Sequence, residues 1–188
     1  MIIDKGVTYQ QTYEAMEGLK RAGLIRHIGI SNVGTSMIRE VMAYATEKPD
    51  SLQVEMHPFL SQERLLRMAQ EEGMQVMAYS NFGAISYVPI GLAQQDSDLL
   101  HHSVINAIGT AKGKTAAQVL LRWAIQRNTI CIPKSSSEAR LIENICVFDW
   151  TLTDEEMGQI SALNKNERYN DPGTYGEGGF GCFCPIFD

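Results

Sequence analysis

In the stretch IPKSSSEARLIEN, residues 132–144, a lysine and three serines stand between an apolar run and a polar helical pattern. Ser135, Ser136 and Ser137 fall where a helix exposes unpaired N–H groups and the positive end of its dipole. Such an end takes a phosphate. Lys134 adds a full positive charge beside it, and the planar guanidinium of Arg140 can fork onto a phosphate or stack on a base. Glu143 and Asn144 follow Arg140 by three and four residues, on the same helical face, with the acceptors and donors to meet an adenine amino edge. The chemistry this predicts is a phosphate site for a nucleotide. The competing reading is a surface helix whose charges only solvate it.

A second set of polar residues recurs at the ends of apolar runs. The first run ends in Ser31-Asn32, the second carries Gln53 and Glu55 and ends in Met56-His57-Pro58, the third ends in Tyr79-Ser80-Asn81, and the fourth in Lys134-Ser135. In parallel α/β architectures ligands gather at the carboxyl ends of strands. Each of these residues alone reads as a solvated turn residue; together they predict one rim carrying a site.

Those positions require strands alternating with helices. TYEAMEGLKRAGL reads as an amphipathic helix stopped by Gly23, followed by the strand IRHIGIS. The helix SMIREVMAYAT precedes the strand SLQVEM. SQERLLRMAQEEG is a helix with Ser61 as N-cap and Gly73 at its stop, and MQVMAYS is the third strand. A loop over residues 81–97 exceeds the usual connection length, which marks it as functional. The helices SVINAIGTAKG and TAAQVLLRWAIQRN follow, the second capped by Thr115, then the strand TICIP and the helix SEARLIENI. The last helix, TDEEMGQISALN, opens with a capping box of Thr153 and Glu156. The strands are short and apolar, predicting a parallel α/β sheet buried on both faces. A doubly wound sheet and a (β/α)8 barrel both fit this order. A full barrel takes about 250 residues, and four strand–helix units amount to about half of one.

With 188 residues, 44% hydrophobic and 20% charged, the chain can bury one core. A net charge of −6 without any Lys/Arg block argues against nucleic acid as a partner. No stretch has the length of a membrane span or the apolar centre of a signal peptide, so the expected compartment is the cytoplasm. Cys131 and Cys146 lie in apolar runs and read as buried thiols. Cys182 and Cys184 form a lone Cys-x-Cys without a second pair, so no metal site is expected.

GLIRHIGISN, LQVEMHPFLSQERLL, MQVMAYSNFG, TAAQVLLRWAIQRNTICIPKSSSEARLIEN and FDWTLTDEEMGQISALN, in this order and spacing, resemble the carboxyl half of an aldo-keto reductase. ERYNDP through PIFD is most similar to the xylose reductase branch. The resemblance implies a partial (β/α)8 TIM barrel, about the last four βα units, over residues 1–188, with 164–188 as its carboxyl-terminal loop. It implies NADPH as cofactor and a small carbonyl compound, of the aldose type, as substrate. Carried over by position, Ser31, Asn32 and Gln53 would hold the nicotinamide carboxamide, and Tyr79 would stack on the ring. Ser80, with Phe82, would begin the loop that clasps the pyrophosphate. Lys134, Ser135 and Ser136 would take the adenosine 2′-phosphate, Arg140 would cover it and the adenine, and Glu143 and Asn144 would meet the adenine edge.

The sequence departs from the family pattern in three places. Pro89 stands where xylose reductases that also use NAD place a glutamate, which favours NADPH alone. Gly173, Thr174 and Tyr175 follow Pro172 where the family has a tryptophan. The family's catalytic tyrosine, lysine, aspartate and histidine come from the amino half of the barrel, and no residue here matches any of them. His57 aligns with a strand-end histidine that has no acid role. The chain alone is therefore expected to bind NADPH without reducing carbonyls efficiently. The alternative is a non-catalytic half-barrel module. In either case two open strand edges and an uncovered face predict self-association or a partner chain.

Overall fold

The computed structural model describes residues 6–93, 98–173, 176 and 187. Seven helices and four strands alternate among them: α1 Tyr9–Arg21, β1 Gly29–Ser31, α2 Thr35–Tyr44, β2 Ser51–Glu55, α3 Glu63–Glu71, β3 Gln75–Tyr79, α4 Ser103–Lys112, α5 Ala116–Gln126, β4 Thr129–Cys131, α6 Glu138–Ile145 and α7 Asp154–Ser161. Hydrogen bonding orders the strands β1-β2-β3-β4. β1 and β2 pair in parallel with Gly29 opposite Ser51 and Ser31 opposite Gln53. This is the predicted α/β pattern, with neighbours in sequence as neighbours in the sheet.

The chain divides into two compact units. The first holds the described residues of 1–54, 63–76 and 171–188. Its core is Tyr13, Ile28, Ile38, Val41, Leu52, Ala69 and Val76, each at most 2% exposed. Thr8 and Gln11 form a capping box that starts α1 earlier than the apolar spacing alone suggested. Gly23 ends α1 at φ 72, its N–H bonding Lys20 O while Leu24 N–H reaches back to Leu19 O. That paired closure needs a left-handed residue, which glycine supplies without strain.

The second unit comprises 55–62 and 77–170. Trp123, Leu99, Ile105, Leu120 and Ile160 are fully buried in it. The Trp123 indole donates to Ser161 Oγ at 3.0 Å, so its polar edge is satisfied inside the core. Capping boxes at Thr115–Gln118 and Thr153–Glu156 start α5 and α7 as expected.

Two expectations need correction. α3 begins at Glu63, not beside Ser61; Gln62 takes a left-handed φ of 53 between them, and Ser61 donates its N–H to Asn164 Oδ1. The strands are not all buried on two faces: β1 exposes Gly29 and Ser31 around a buried Ile30, and Ile130 of β4 is 43% exposed. Successive strand residues point to opposite faces, and only one face of these two strands is covered among the described residues. The loop after β3 carries two single 3₁₀ turns, Ala84–Ser86 and Val88–Ile90.

Candidate functional site

Pro133 and Lys134 leave β4 at its carboxyl end, just after Ile132 N–H bonds Ala78 O at 3.3 Å. Ser135 Oγ accepts the Ser137 N–H at 3.2 Å and closes the turn into α6. Ser137 is the N-cap of α6 in extended conformation, and its own hydroxyl makes no capping bond. The first-turn N–H groups of α6 therefore keep their capacity for an anion.

α6 is held in place by α5. Gln118 Nε2 donates to the carbonyls of Glu143 and Cys146 at 3.1 Å each, and the Arg122 guanidinium donates to Val147 O at 3.0 Å. These bonds satisfy carbonyls at and beyond the end of α6 and fix which face it turns outward.

That face borders a cavity of about 210 Å³ lined by Phe82, Lys134, Ser135, Ser136, Arg140, Glu143 and Asn144, with Ile85, Leu100 and Ala117 adding apolar wall. Seven of the twelve residues expected from the sequence thus share one concavity. Lys134 and Arg140 are exposed and bring two positive charges. Glu138 in the first turn of α6 and Glu143 on the cavity wall carry the opposing charges, and one oxygen of Glu143 is taken by the Thr115 hydroxyl at 2.7 Å. Phe82 and the aliphatic wall offer a flat surface for a heterocycle. The cations and hydroxyls of this wall have the chemistry to meet an anion.

Tyr79 and Ser80 end β3 in the same unit. The Tyr79 hydroxyl accepts from Asn170 Nδ2 at 3.0 Å, and Ser80 Oγ shares a 2.7 Å hydrogen bond with Tyr87 OH. Burial pushes the Tyr79 phenol up to about 12; the nearby Glu55 pushes the same way, and the Asn170 bond pulls against them. The ring is therefore a neutral aromatic platform. Ser80 has a left-handed φ of 56, a costly conformation for a serine that turns the chain sharply off the strand. Gly83 closes this turn by donating to Ser80 O at 2.8 Å; a Cβ there would lie 2.8 Å from Leu99 Cδ1.

Ser31, Asn32 and Gln53 belong to the first unit. Ser31 Oγ and Asn32 N–H both donate to Gln53 O at 3.0 Å, which binds the three together at the ends of β1 and β2. Asn32 has φ 54, so it leaves its strand by the same left-handed step as Ser80 leaves β3.

Glu55 and His57 do not stand on an open rim, as their strand-end positions suggested. Both are 0% exposed. Glu55 Oε1 accepts the Tyr169 N–H at 2.9 Å and Oε2 accepts the Asn170 N–H at 2.9 Å. His57 Nε2 lies 2.9 Å from Glu55 Oε1. The His57 ring stacks on Tyr169 at 5.1 Å, and Tyr169 stacks on Tyr87 at 5.9 Å. The acid inside the apolar run LQVEMHP was the available signal, because a buried charge demands partners.

Among the described residues no group of three or more His, Cys, Asp or Glu is placed to hold a metal ion, and no helix is long and apolar enough to cross a membrane. Burial pushes the Cys131 thiol up to about 12, which makes it inert. Cys146 is exposed rather than buried as its apolar neighbours suggested, because it lies just past the end of α6. Cys182 and Cys184 lie outside the described residues, as does most of the 164–188 tail beyond Gly173.

Comparison with known proteins gives one answer. A probable NAD(P)H-dependent D-xylose reductase of Emericella nidulans is 47% identical over 171 residues, covering 90% of this chain and 54% of its own length. The NAD(P)H-dependent D-xylose reductase of Aspergillus niger is 42% identical over 182 residues, covering 96% and 56%. Among solved structures, a Bombyx mori aldo-keto reductase in complex with NADP superposes with a TM-score of 0.82 at 33% identity, covering 91% of this chain and 55% of that one. The aldose reductase of Schistosoma japonicum does so with 0.79 at 34%, covering 89% and 51%. The chain spans about half the length of these relatives. The Aldo/keto reductase family model covers residues 2–165: the chain belongs to the aldo-keto reductase family.

Proposed function

We propose that this chain is the NADPH-binding part of an aldo-keto reductase whose complete form reduces small aldehydes or ketones of the aldose type. The observation that carries the reading is the cavity bordered by Lys134, Ser135, Ser136 and Arg140 at the start of α6. Two cations, two hydroxyls and the first-turn N–H groups suit a dianionic 2′-phosphate. Phe82 and the aliphatic wall suit the adenosine, and Glu143 and Asn144 its polar edge. The fit extends to Tyr79, whose neutral ring suits a stacked nicotinamide. The assignment of Ser31, Asn32 and Gln53 to the carboxamide rests on the family resemblance. NADPH, when bound, supplies the hydride; the residues named here hold and orient it.

Hydride addition leaves an alkoxide, which requires a proton donor. The tyrosines with displaced pKa values, Tyr9, Tyr13, Tyr44 and Tyr79, are all displaced upward, chiefly by burial. A general acid works best with a pKa near the operating pH, so none of the four is poised for the role. The catalytic tyrosine, lysine, aspartate and histidine of the family have no match in these 188 residues. The reading is therefore a nucleotide-binding chain that does not complete the reaction alone.

A second reading, an association module, is favoured by one observation. Ile130, Leu141, Ile145 and Phe148 are 43%, 50%, 65% and 66% exposed and line an apolar groove of about 380 Å³ in the second unit. Such a patch favours self-association or a partner chain. Calorimetric titration with adenosine 2′,5′-bisphosphate and with adenosine 5′-monophosphate separates the readings. The nucleotide reading expects binding of the first and little of the second. No binding of either leaves the association module.

A further inference from the structure

The nucleotide reading leaves the most buried polar cluster of the second unit unexplained. Glu55 is 0% exposed and touches no cavity described above, so it cannot meet a ligand directly. Its two oxygens instead take the consecutive N–H groups of Tyr169 and Asn170, each at 2.9 Å. Two adjacent peptide units held by one carboxylate are fixed in position and direction, and His57 fixes the carboxylate in turn. The side chains of Tyr169 and Asn170 then diverge. Tyr169 enters the ring stack between His57 and Tyr87, and Tyr87 OH bonds Ser80 Oγ at 2.7 Å. Asn170 Nδ2 bonds Tyr79 OH at 3.0 Å. One carboxylate thus governs both Tyr79 and Ser80 through two separate arms.

We propose that Glu55 is a positioning residue for the nicotinamide and pyrophosphate part of the nucleotide site, acting through the main chain of Tyr169 and Asn170 on Tyr79 and Ser80. The proposal rests on the NADPH reading above. A purely structural carboxylate would be an expensive choice here, since a buried charge loses its hydration before any contact is made. The amide of Glu55→Gln cannot replace it: one of its two polar atoms is a donor and would face an N–H.

The test uses the whole 188-residue chain and two ligands. Adenosine 2′,5′-bisphosphate reaches only the Lys134 cluster; NADPH also reaches Tyr79. Glu55→Gln should weaken NADPH about threefold to tenfold, the range of one lost hydrogen-bonded placement, and leave the bisphosphate unchanged within about twofold. Asn170→Ala, which keeps both main-chain bonds to Glu55, should show the same selective loss. The double variant should lose no more than Glu55→Gln alone, because Asn170 lies on one of the two arms that Glu55 holds. If circular dichroism shows Glu55→Gln unfolded, Asn170→Ala decides alone. Equal losses for both ligands, or no loss of NADPH, overturn the proposal. An unmodified chain that binds the bisphosphate but not NADPH keeps the phosphate reading and overturns this one. Failure to bind either overturns both.

Discussion

The Thr115 hydroxyl donates to Glu143 Oε1 at 2.7 Å, while the same oxygen caps α5 by accepting the Gln118 N–H at 3.2 Å. One side chain thus starts α5 and holds the face of α6 that borders the cavity. Thr115→Ala should cost about 1 kcal/mol in urea unfolding, the usual loss of an N-cap. It should also weaken adenosine 2′,5′-bisphosphate about twofold to fivefold, the range of one modest hydrogen bond. Thr115→Ser should restore both. A variant that loses stability but binds as before would detach Glu143 from the site.

Asp50 gives a pH test of the first unit. Its carboxyl is held below the usual carboxylate range first by the Ile28 N–H at 2.9 Å, then by His27 and Lys20. A depressed folded pKa means the unfolded state binds protons more readily. The stabilisation is then complete above the unfolded value of about 4 and is lost as pH falls through the lower folded value. Asp50→Asn should cost about 0.5–1.5 kcal/mol at pH 7, discounted for its partial exposure, and progressively less as the pH falls below about 4. Denaturant titrations at pH 7 and in acid check this; a cost that persists in acid would mean packing, not charge, is involved.

Much of this was legible in the sequence, for a physical reason in each case. Helices with apolar stripes and Gly stops, such as α1 with Gly23, announce themselves by periodicity and backbone need. The Lys134–Asn144 stretch was legible because its chemistry is local: cations, hydroxyls and a helix start lie within eleven residues. The Glu55–Asn170 clamp was only half legible: the acid inside LQVEMHP signals a need for partners, but those partners lie up to 115 residues away and nothing local names them. Ser61 misled for the opposite reason. It has the right type for a cap, but Asn164 takes its N–H and Gln62 turns left-handed before α3 begins.

The apolar groove predicts behaviour in solution. Ile145 and Phe148 are about two-thirds exposed, at 65% and 66%. Phe148→Lys should lower the weight-average mass in sedimentation velocity and change unfolding stability by no more than about 0.5 kcal/mol, as surface substitutions do. An unchanged distribution of species would place any association elsewhere.

Catalysis by the chain alone should be slight. General acid catalysis typically contributes about 10²- to 10⁴-fold, and the proposed reading leaves the proton donor outside these 188 residues. NADPH oxidation with xylose or a reactive aldehyde should therefore run at least about a hundredfold below 1 s⁻¹, the lower end of ordinary turnover. A rate near 1 s⁻¹ from the purified chain would show that the reacting groups lie within these 188 residues.

The central claim is that Lys134, with Ser135, Ser136 and Arg140, grips the 2′-phosphate of NADPH. The most direct measurement is a fluorescence titration of the unmodified chain and of Lys134→Met with NADPH and NADH. A charge-assisted contact is worth about 1.5–3 kcal/mol. At about 1.4 kcal/mol per decade, Lys134→Met should weaken NADPH roughly tenfold to a hundredfold. NADH, which lacks the phosphate, should be nearly unaffected. Equal losses for the two cofactors, or none for NADPH, would contradict the assignment.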